Sequence, residues 1–358
     1  MAIFDALRRD LWTVAIMAPS AAAGAGLAVL LGLPAPYLTG PAIIVTILSQ
    51  TGLIGAPPVW LRNLCFVLIG IGMGSGITPE ALRAAAQWPV PLVALAVALV
   101  VLTFSGAAAL ERFFRFDRPA ARLAATPGHL SFVIAFAEDL RSDVARVSVV
   151  QALRVLYLTL LVPFAVQWAT GADLSFVAAD GAPMTARSLA VLTVLSLAIG
   201  ALFLRLNVPA ALLLAGLAVS GVTHGLGWIE GAMPAVIANP TFAIMGALIG
   251  SRFVGITPHQ ILSASAASLV LTGLALATTF GAVEIVHGVT GLPRLDLLIA
   301  FAPGGLETMA ALSLMLDTDP AFVAIHHLAR LIFLSFLVPL ILPRPSRPEP
   351  TPRPRNPD

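Results

Sequence analysis

Apolar stretches long enough to cross a lipid bilayer recur along the whole chain. Residues 89–110 and 186–204 are each apolar over about 20 residues, the length that a helix needs to span a hydrocarbon core of roughly 30 Å. Backbone groups in lipid must be hydrogen-bonded within their own segment, and stretches rich in Ala, Leu, Val and Gly favour helices over barrel strands. Only 11% of the residues are charged, against roughly 25% in a soluble domain. The sequence predicts an all-α, polytopic membrane protein and excludes a soluble enzyme and a free DNA-binding protein.

The second half of the chain repeats a pattern found in the first half. Residues 127–130 read PGHL and residues 303–306 read PGGL. At the same spacing, other distinctive residues also recur: Asn63, Gly70, Asp143, Arg154 and Pro163 match Asn239, Gly246, Asp319, Arg330 and Pro339. Chance similarity between leucine-rich helices would not place Pro, Gly, Asn, Arg and Asp in register. The chain therefore contains an internal duplication, which is typical of transporter architecture.

The repeat predicts four parts. The first membrane repeat covers residues 1–168, and the second covers residues 186–342. Between them, residues 169–185 form a linker that carries Asp173 and Asp180 and is predicted to be periplasmic. The tail 343–358 is Pro-rich and polar, a composition typical of disorder, and we expect it in the cytoplasm.

Arginine placement predicts that the two copies have opposite orientations in the membrane. Each copy offers about five long spans and a shorter segment broken by Pro-Gly, at residues 122–140 and 294–316. Arginines flank the first of these segments on both sides, which is typical of cytoplasmic loops, whereas Arg294 is the only cation among the matching flanks in the second copy. The sequence thus predicts two inverted repeats of about five transmembrane helices, each with a re-entrant Pro-Gly hairpin, in a bacterial inner membrane with both termini cytoplasmic. The alternative is about twelve crossings with parallel repeats.

The tips of the two hairpins are the first candidate binding site. They consist of Pro127, Gly128 and His129 in the first copy and of Pro303, Gly304 and Gly305 in the second. Irregular backbone at membrane depth persists only where protein or a watery cavity surrounds it, and half-helix N-termini there present positive dipole ends to an anion. The alternative is a proline kink in an ordinary helix.

Ionisable and amide side chains inside the spans are the second group of candidates. Arg154 and Arg330 need a buried partner, which is either a substrate oxyanion or a structural acid such as Glu307. Glu307 is also a candidate for coupling transport to a proton or a sodium ion, although its counterpart is Ser131. Asn63 and Asn239 are further ion-coupling candidates, with interhelical hydrogen bonding as the alternative. The spacings Gly70–Gly74 and Gly246–Gly250 predict close helix packing.

The histidines show no spacing typical of metal ligands. His326 and His327 are adjacent and project in different directions from a helix, and the other four are scattered. We therefore expect no metal and no cofactor, and a copper or di-iron oxidase is not supported. Nucleotide-binding loops, catalytic-triad motifs and zinc signatures are also missing from the sequence.

The duplicated unit resembles the AbrB duplication family of bacterial membrane proteins. The resemblance rests on the Pro-Gly segment, the following aspartate and the Arg-bearing last span ending in Leu-Val-Pro, and it extends from about Leu27 to Leu342. Members of that family are labelled ammonia monooxygenases or AbrB family regulators. The absent ligands argue against the first label. The architecture is also similar to inverted-repeat secondary transporters that carry glutamate or citrate with sodium.

Together these features predict a secondary transporter rather than an enzyme. It would move a small, anionic solute by alternating access, coupled to a proton or a sodium ion, with the lipid bilayer as its environment. Nucleic acid is not an expected partner, and the architecture is compatible with a homodimer. The alternative is a membrane-embedded sensor or regulator that influences gene expression through a partner.

Overall fold

The computed structural model describes residues 2–77, 88–127, 133, 137, 142–171, 182–316 and 318–342. This part of the chain contains 13 α-helices and one 3-10 turn, and its isolated β-bridge joins Pro183 to Ala232. The all-α class predicted from the sequence is confirmed for these residues. Most of the predicted linker 169–185 and the whole tail 343–358 lie outside them, so the predictions for both stay predictions.

The helices of the second half follow the same order as those of the first half. The first half forms α1 (Ala2–Leu30), α2 (Pro36–Ser49), α3 (Val59–Ser75), α4 (Pro89–Phe114), α5 (Arg118–Ala125) and α6 (Val144–Thr170). The second half forms α7 (Ala186–Arg205), α8 (Ala211–Gly225), α9 (Ala235–Gly250), α10 (Pro258–Thr290), α11 (Arg294–Phe301), α12 (Leu306–Met315) and α13 (Pro320–Ile341). The segment that corresponds to α12 falls largely outside the described residues.

Helix ends in the two halves recur at a constant spacing. The short helices α5 and α11 begin 176 residues apart (294 − 118) and end 176 residues apart (301 − 125). Helices α6 and α13 also begin at this spacing, and a capping aspartate precedes each of them. Asp143 accepts the backbone N–H of Arg146 at 2.9 Å, and Asp319 accepts the backbone N–H of Ala321 at 2.9 Å. The aspartate in the repeated motif therefore marks a helix start.

Within the described residues, seven helices are long and apolar enough to cross a membrane, which identifies a multi-pass membrane protein. Three further apolar helices, α2, α3 and α8, have 14, 17 and 15 residues, or ~21–26 Å at about 1.5 Å per residue. The sequence predicted long spans at these places. Helices α2 and α8 are shorter because each begins only after a Pro-Ala turn, in which Ala35 and Ala210 adopt the left-handed conformation with φ near 51°.

The two halves interlock crosswise through glycines. Helix α3 packs on α8, and helix α9 packs on α2. A Cβ built on Gly70 would stand 2.1 Å from the carbonyl oxygen of Leu213, and one built on Gly246 would stand 2.3 Å from that of Leu38. The close packing predicted from the glycine spacings is therefore confirmed, and it joins one half of the chain to the other.

The two ends of each Pro-Gly segment lie close together. In the second half, Asp296 in the first turn of α11 accepts the backbone N–H of Asp319, which caps α13, at 3.2 Å. In the first half, Arg146 at the start of α6 donates to the carbonyl of Phe114 at the end of α4 at 2.7 Å. Its guanidinium carbon also lies 3.7 Å from the centre of the Phe116 ring. The chain thus enters and leaves each segment at neighbouring points.

Candidate functional site

Both short helices end in a buried break. Helix α5 ends at Ala125 and α11 ends at Phe301, and each is followed by one residue and then a proline. Pro127, Pro303 and Gly304 are buried, and Gly305 is partly buried. The second break leads directly into α12, whereas Gly128 and His129 of the first tip lie outside the described residues. The predicted tip residues that are described therefore line breaks inside the protein.

In the first half, Gln151 and Arg154 of α6 hold the end of α5; we call this pair the first clasp. Arg154 donates through Nη1 to the carbonyls of Ala124 and Ala125 at 3.4 Å and of Thr126 at 3.3 Å. Gln151 donates through Nε2 to the carbonyls of Leu123 and Thr126 at 2.8 Å each. Its Oε1 accepts from Nη2 of Arg154 at 2.5 Å. The last turn of α5 is thus held by two side chains one turn apart.

In the second half, His327 and Arg330 of α13 occupy the equivalent places; we call this pair the second clasp. Arg330 donates to the carbonyl of Ala302 at 3.0 Å and to that of Gly304 at 2.7 Å. Ala302 corresponds to Thr126, whose carbonyl accepts from the first clasp. His327 stands one turn before Arg330 and is fully buried. Both halves therefore present an arginine to the broken end of their own short helix.

The clasps supply hydrogen-bond donors to carbonyls at the broken helix ends. The last carbonyls of a helix have no partner within the helix, and an unsatisfied backbone group at membrane depth costs several kcal/mol. A guanidinium group supplies donors in a fixed fork, and its positive charge also faces the negative end of the helix dipole. The predicted partners of Arg154 and Arg330 were a substrate oxyanion or Glu307, but their observed bonds include backbone carbonyls that sequence reasoning did not consider.

The two arginines also bring positive charge into the middle of the protein. Each is only 2% exposed. Two like charges in a water-poor interior are costly, and an anion between or beside them offsets that cost. Glu307 is the second residue of α12, and its side chain lies outside the described part of the structure. Its predicted roles therefore stay predictions.

The two asparagines occupy other places. Asn239, followed by Pro240, lines a groove of about 870 Å³ between α1 and α9. Its Oδ1 atom is buried without a hydrogen-bond partner among the described residues. Asn63 is half-buried on α3. These placements support neither ion coupling nor an interhelical hydrogen bond, and both readings stay open.

Sequence reasoning missed Gln151 and His327. A signal for both was present, because each stands three residues before the repeated arginine and the two are 176 residues apart (327 − 151).

His326 has a different environment. Its Nδ1 lies 2.7 Å from the carbonyl oxygen of Phe322, and its ring packs against Phe322, Phe301 and Trp88. Among the described residues, no group of three His, Cys, Asp or Glu side chains is placed to hold a metal ion.

Comparison with known proteins finds relatives along most of the chain. Residues 55–344 match the family described as "Transition state regulatory protein AbrB". A Bacillus subtilis (strain 168) protein named "Uncharacterized protein YhjN" is 27% identical over 368 aligned positions, which cover 93% of this chain and 92% of the relative. An Escherichia coli (strain K12) protein named "Putative regulator AbrB" is 31% identical over 136 residues, which cover 37% of this chain and 39% of the relative. The family match encloses both clasps.

Proposed function

This chain belongs to the AbrB family, as its repeated motifs predicted, and we propose that it works as a secondary transporter. Its solute would be small and anionic, and alternating access about a central site would be driven by a proton or sodium gradient. The observation that carries the proposal is the pair of buried chain breaks, each held by an arginine from its own half. Irregular backbone of this kind at membrane depth is typical of transporter binding sites.

The proposal includes two re-entrant hairpins. The hydrogen bond between Asp296 and the backbone of Asp319, and the contacts of Arg146 with Phe114 and Phe116, support it because they join the two ends of each Pro-Gly segment. Helix α11 has eight residues, or ~12 Å at about 1.5 Å per residue, which is a little under half of a roughly 30 Å hydrocarbon core. Each tip would therefore reach towards the middle of the membrane.

The proposal also includes opposite orientations of the two halves. The reciprocal contacts of Gly70 with Leu213 and of Gly246 with Leu38 are those that a two-fold rotation between the halves produces. The excess of arginine around the first Pro-Gly segment supports an axis in the membrane plane, with both termini in the cytoplasm. The seven long helices and the three shorter apolar ones would then make ten crossings, and the inner membrane of a bacterium is the proposed location.

The second break suits an anion. Helix α12 begins after Gly305, and no side-chain hydrogen bond caps it at that residue. The first N–H groups of a helix have no partner within the helix and favour an anion. The guanidinium of Arg330 is held at the same break through Gly304. A carboxylate or similar oxyanion would meet both the helix N-terminus and the arginine charges. We propose no catalytic step for the protein.

A direct test combines binding and flux. Purified full-length protein is screened by thermal stabilisation against organic anions, amino acids and metal salts, because a ligand of the native state raises the melting temperature. Any stabilising anion is then assayed for uptake into proteoliposomes under imposed proton or sodium gradients. Uptake that depends on a gradient supports the proposal. Tight binding without uptake or exchange in either gradient argues against it.

The second candidate is a membrane-embedded sensor or regulator that acts on gene expression through a partner. The names of the matched family and of the Escherichia coli relative favour it. A sensor needs only binding, whereas a transporter needs turnover and coupling. Solute binding that changes gene expression in cells while proteoliposomes show no flux would support the sensor.

A further inference from the structure

Gln151 and His327 stand at equivalent positions, but their hydrogen bonding differs. Gln151 makes two donor bonds to α5 and one acceptor bond to Arg154. Neither ring nitrogen of His327 reaches a hydrogen-bond partner in the described part of the chain. The backbone of Ile299, the counterpart of Leu123, lies near the ring but outside hydrogen-bond geometry. A fully buried imidazole thus occupies the place where, in the first half, both polar atoms of the Gln151 side chain are hydrogen-bonded.

The chemistry of the imidazole distinguishes the two clasps. A glutamine side chain has fixed donors and an acceptor, whereas an imidazole has one donor when neutral and two when protonated. Among the charged and titratable groups that the structure describes, Arg330 and His326 are the electrostatic neighbours of the His327 ring. The elements around α13 contribute the buried guanidinium of Arg154, on α6, and the carboxylate of Asp296, on α11, which accepts the backbone N–H of Asp319. Glu307, the second residue of the neighbouring α12, is the rival candidate for carrying the proton.

A proton on His327 would add a positive charge beside Arg330. In a buried, water-poor site this is costly unless a negative charge arrives at the same time. An anion bound at the second break would provide that charge, and the protonated ring would gain a second donor for the anion or for the carbonyl of Ile299. Binding of the anion and binding of the proton would each raise the affinity for the other, because such coupling is reciprocal.

From this geometry we propose that His327 is the proton-binding group of the second clasp, taking up one proton with each anion and releasing it when the anion leaves. The inference rests on the proposed transport function and names the coupling ion as a proton. The ring nitrogen accepts the proton reversibly, and no covalent bond to the solute forms. The first clasp, with Gln151 in the same place, holds its helix without titrating.

The repeat itself supplies the test variant. His327→Gln gives the second clasp the chemistry of the first, so it should fold. The control His259→Gln removes an exposed histidine at the start of α10.

Protein with ¹⁵N-labelled histidine rings is titrated between about pH 8 and pH 5, the range in which imidazoles exchange protons. The difference between the spectra of wild type and His327→Gln isolates the His327 signals. We expect them to change from neutral to protonated, at a higher pH when a stabilising anion such as citrate is present. A ring that stays neutral wherever the protein remains folded overturns the proposal.

Flux measurements separate this inference from the transport function. Uptake of a stabilising anion by wild type and by His259→Gln should rise at least several-fold with an inward proton gradient, whereas uptake by His327→Gln should show no such rise. Loss of the proton response in Glu307→Gln but not in His327→Gln would assign the proton to Glu307 and overturn the inference. If no anion is transported by any variant, the transport proposal fails, and the NMR titration still decides whether His327 binds a proton.

Discussion

Gly70 lies so close to Leu213 that a Cβ atom on the glycine would stand 2.1 Å from the leucine carbonyl oxygen. The contact joins the third helix of the first half to the second helix of the second half. Reciprocally, a Cβ atom on Gly246 would stand 2.3 Å from the carbonyl oxygen of Leu38. Backbone atoms on both sides leave no flexible side chain that could move aside. Each glycine is therefore required by tertiary packing and not by local helix geometry.

Adding a methyl group at this crossing should destabilise the protein. We expect Gly70→Ala and Gly246→Ala each to cost about 1–3 kcal/mol or more, since overpacking a tight core costs that much. The measurement is the thermal unfolding midpoint in detergent. Gly273→Ala in α10 is the control, because a Cβ there meets nothing within 4 Å. Equal midpoints for Gly70→Ala and Gly273→Ala would contradict the crossing.

Replacing the arginine of the first clasp should lower the stability of the fold. Arg154→Met would deprive the carbonyls of Ala124 and Ala125 of a donor, at roughly 1–3 kcal/mol for each stranded group. We expect a lower unfolding midpoint and a lower yield than for Arg205→Met, which removes an exposed arginine at the end of α7. Arg154→Lys, which keeps the charge and loses the fork, should fall between them. A stable Arg154→Met protein that has lost only solute binding would instead make Arg154 a direct ligand.

The orientation of the halves can be tested at two equivalent exposed arginines. Arg118 and Arg294 are the first residues of α5 and α11. Cys65 is the single cysteine of the sequence and is first replaced by serine. In that background, Arg118→Cys and Arg294→Cys are labelled with a membrane-impermeant thiol reagent in spheroplasts and in inverted vesicles. We expect Arg118→Cys to react from the cytoplasmic side and Arg294→Cys from the periplasmic side. Labelling of both from one side would favour parallel repeats.

The repeated aspartate should act through its acceptor oxygen. Asp319→Ala removes the cap of α13, which we expect to cost about 0.5–2 kcal/mol. Asp319→Asn keeps an acceptor and should lose much less. Thermal unfolding of the two variants measures the difference. Identical losses would mean that the carboxylate charge, and not the cap, matters at this position.

The sequence predicted the features that depend on local composition and on repetition. Apolar length identified the membrane helices, and Pro, Gly, Asn, Arg and Asp residues that recur in register revealed the duplication. The clasps could not be predicted, because the partners of Arg154 and Arg330 include backbone carbonyls about 28 residues upstream. Only the fold brings those carbonyls near. A backbone carbonyl is an acceptor in every residue type, so the sequence does not single out Thr126 and Ala302 as partners of the arginines.

The crosswise packing also sets the order in which the molecule can be completed during synthesis. Helices α2 and α3 emerge from the ribosome well before α8 and α9. During that time the surfaces of α2 and α3 that later contact α9 and α8 lie in the lipid without their final neighbours. The N-terminal half alone would be an unfinished product, and a nascent chain stalled in the central linker should be degraded or held by insertion factors. Co-expression of the two halves as separate chains should restore what neither can form alone.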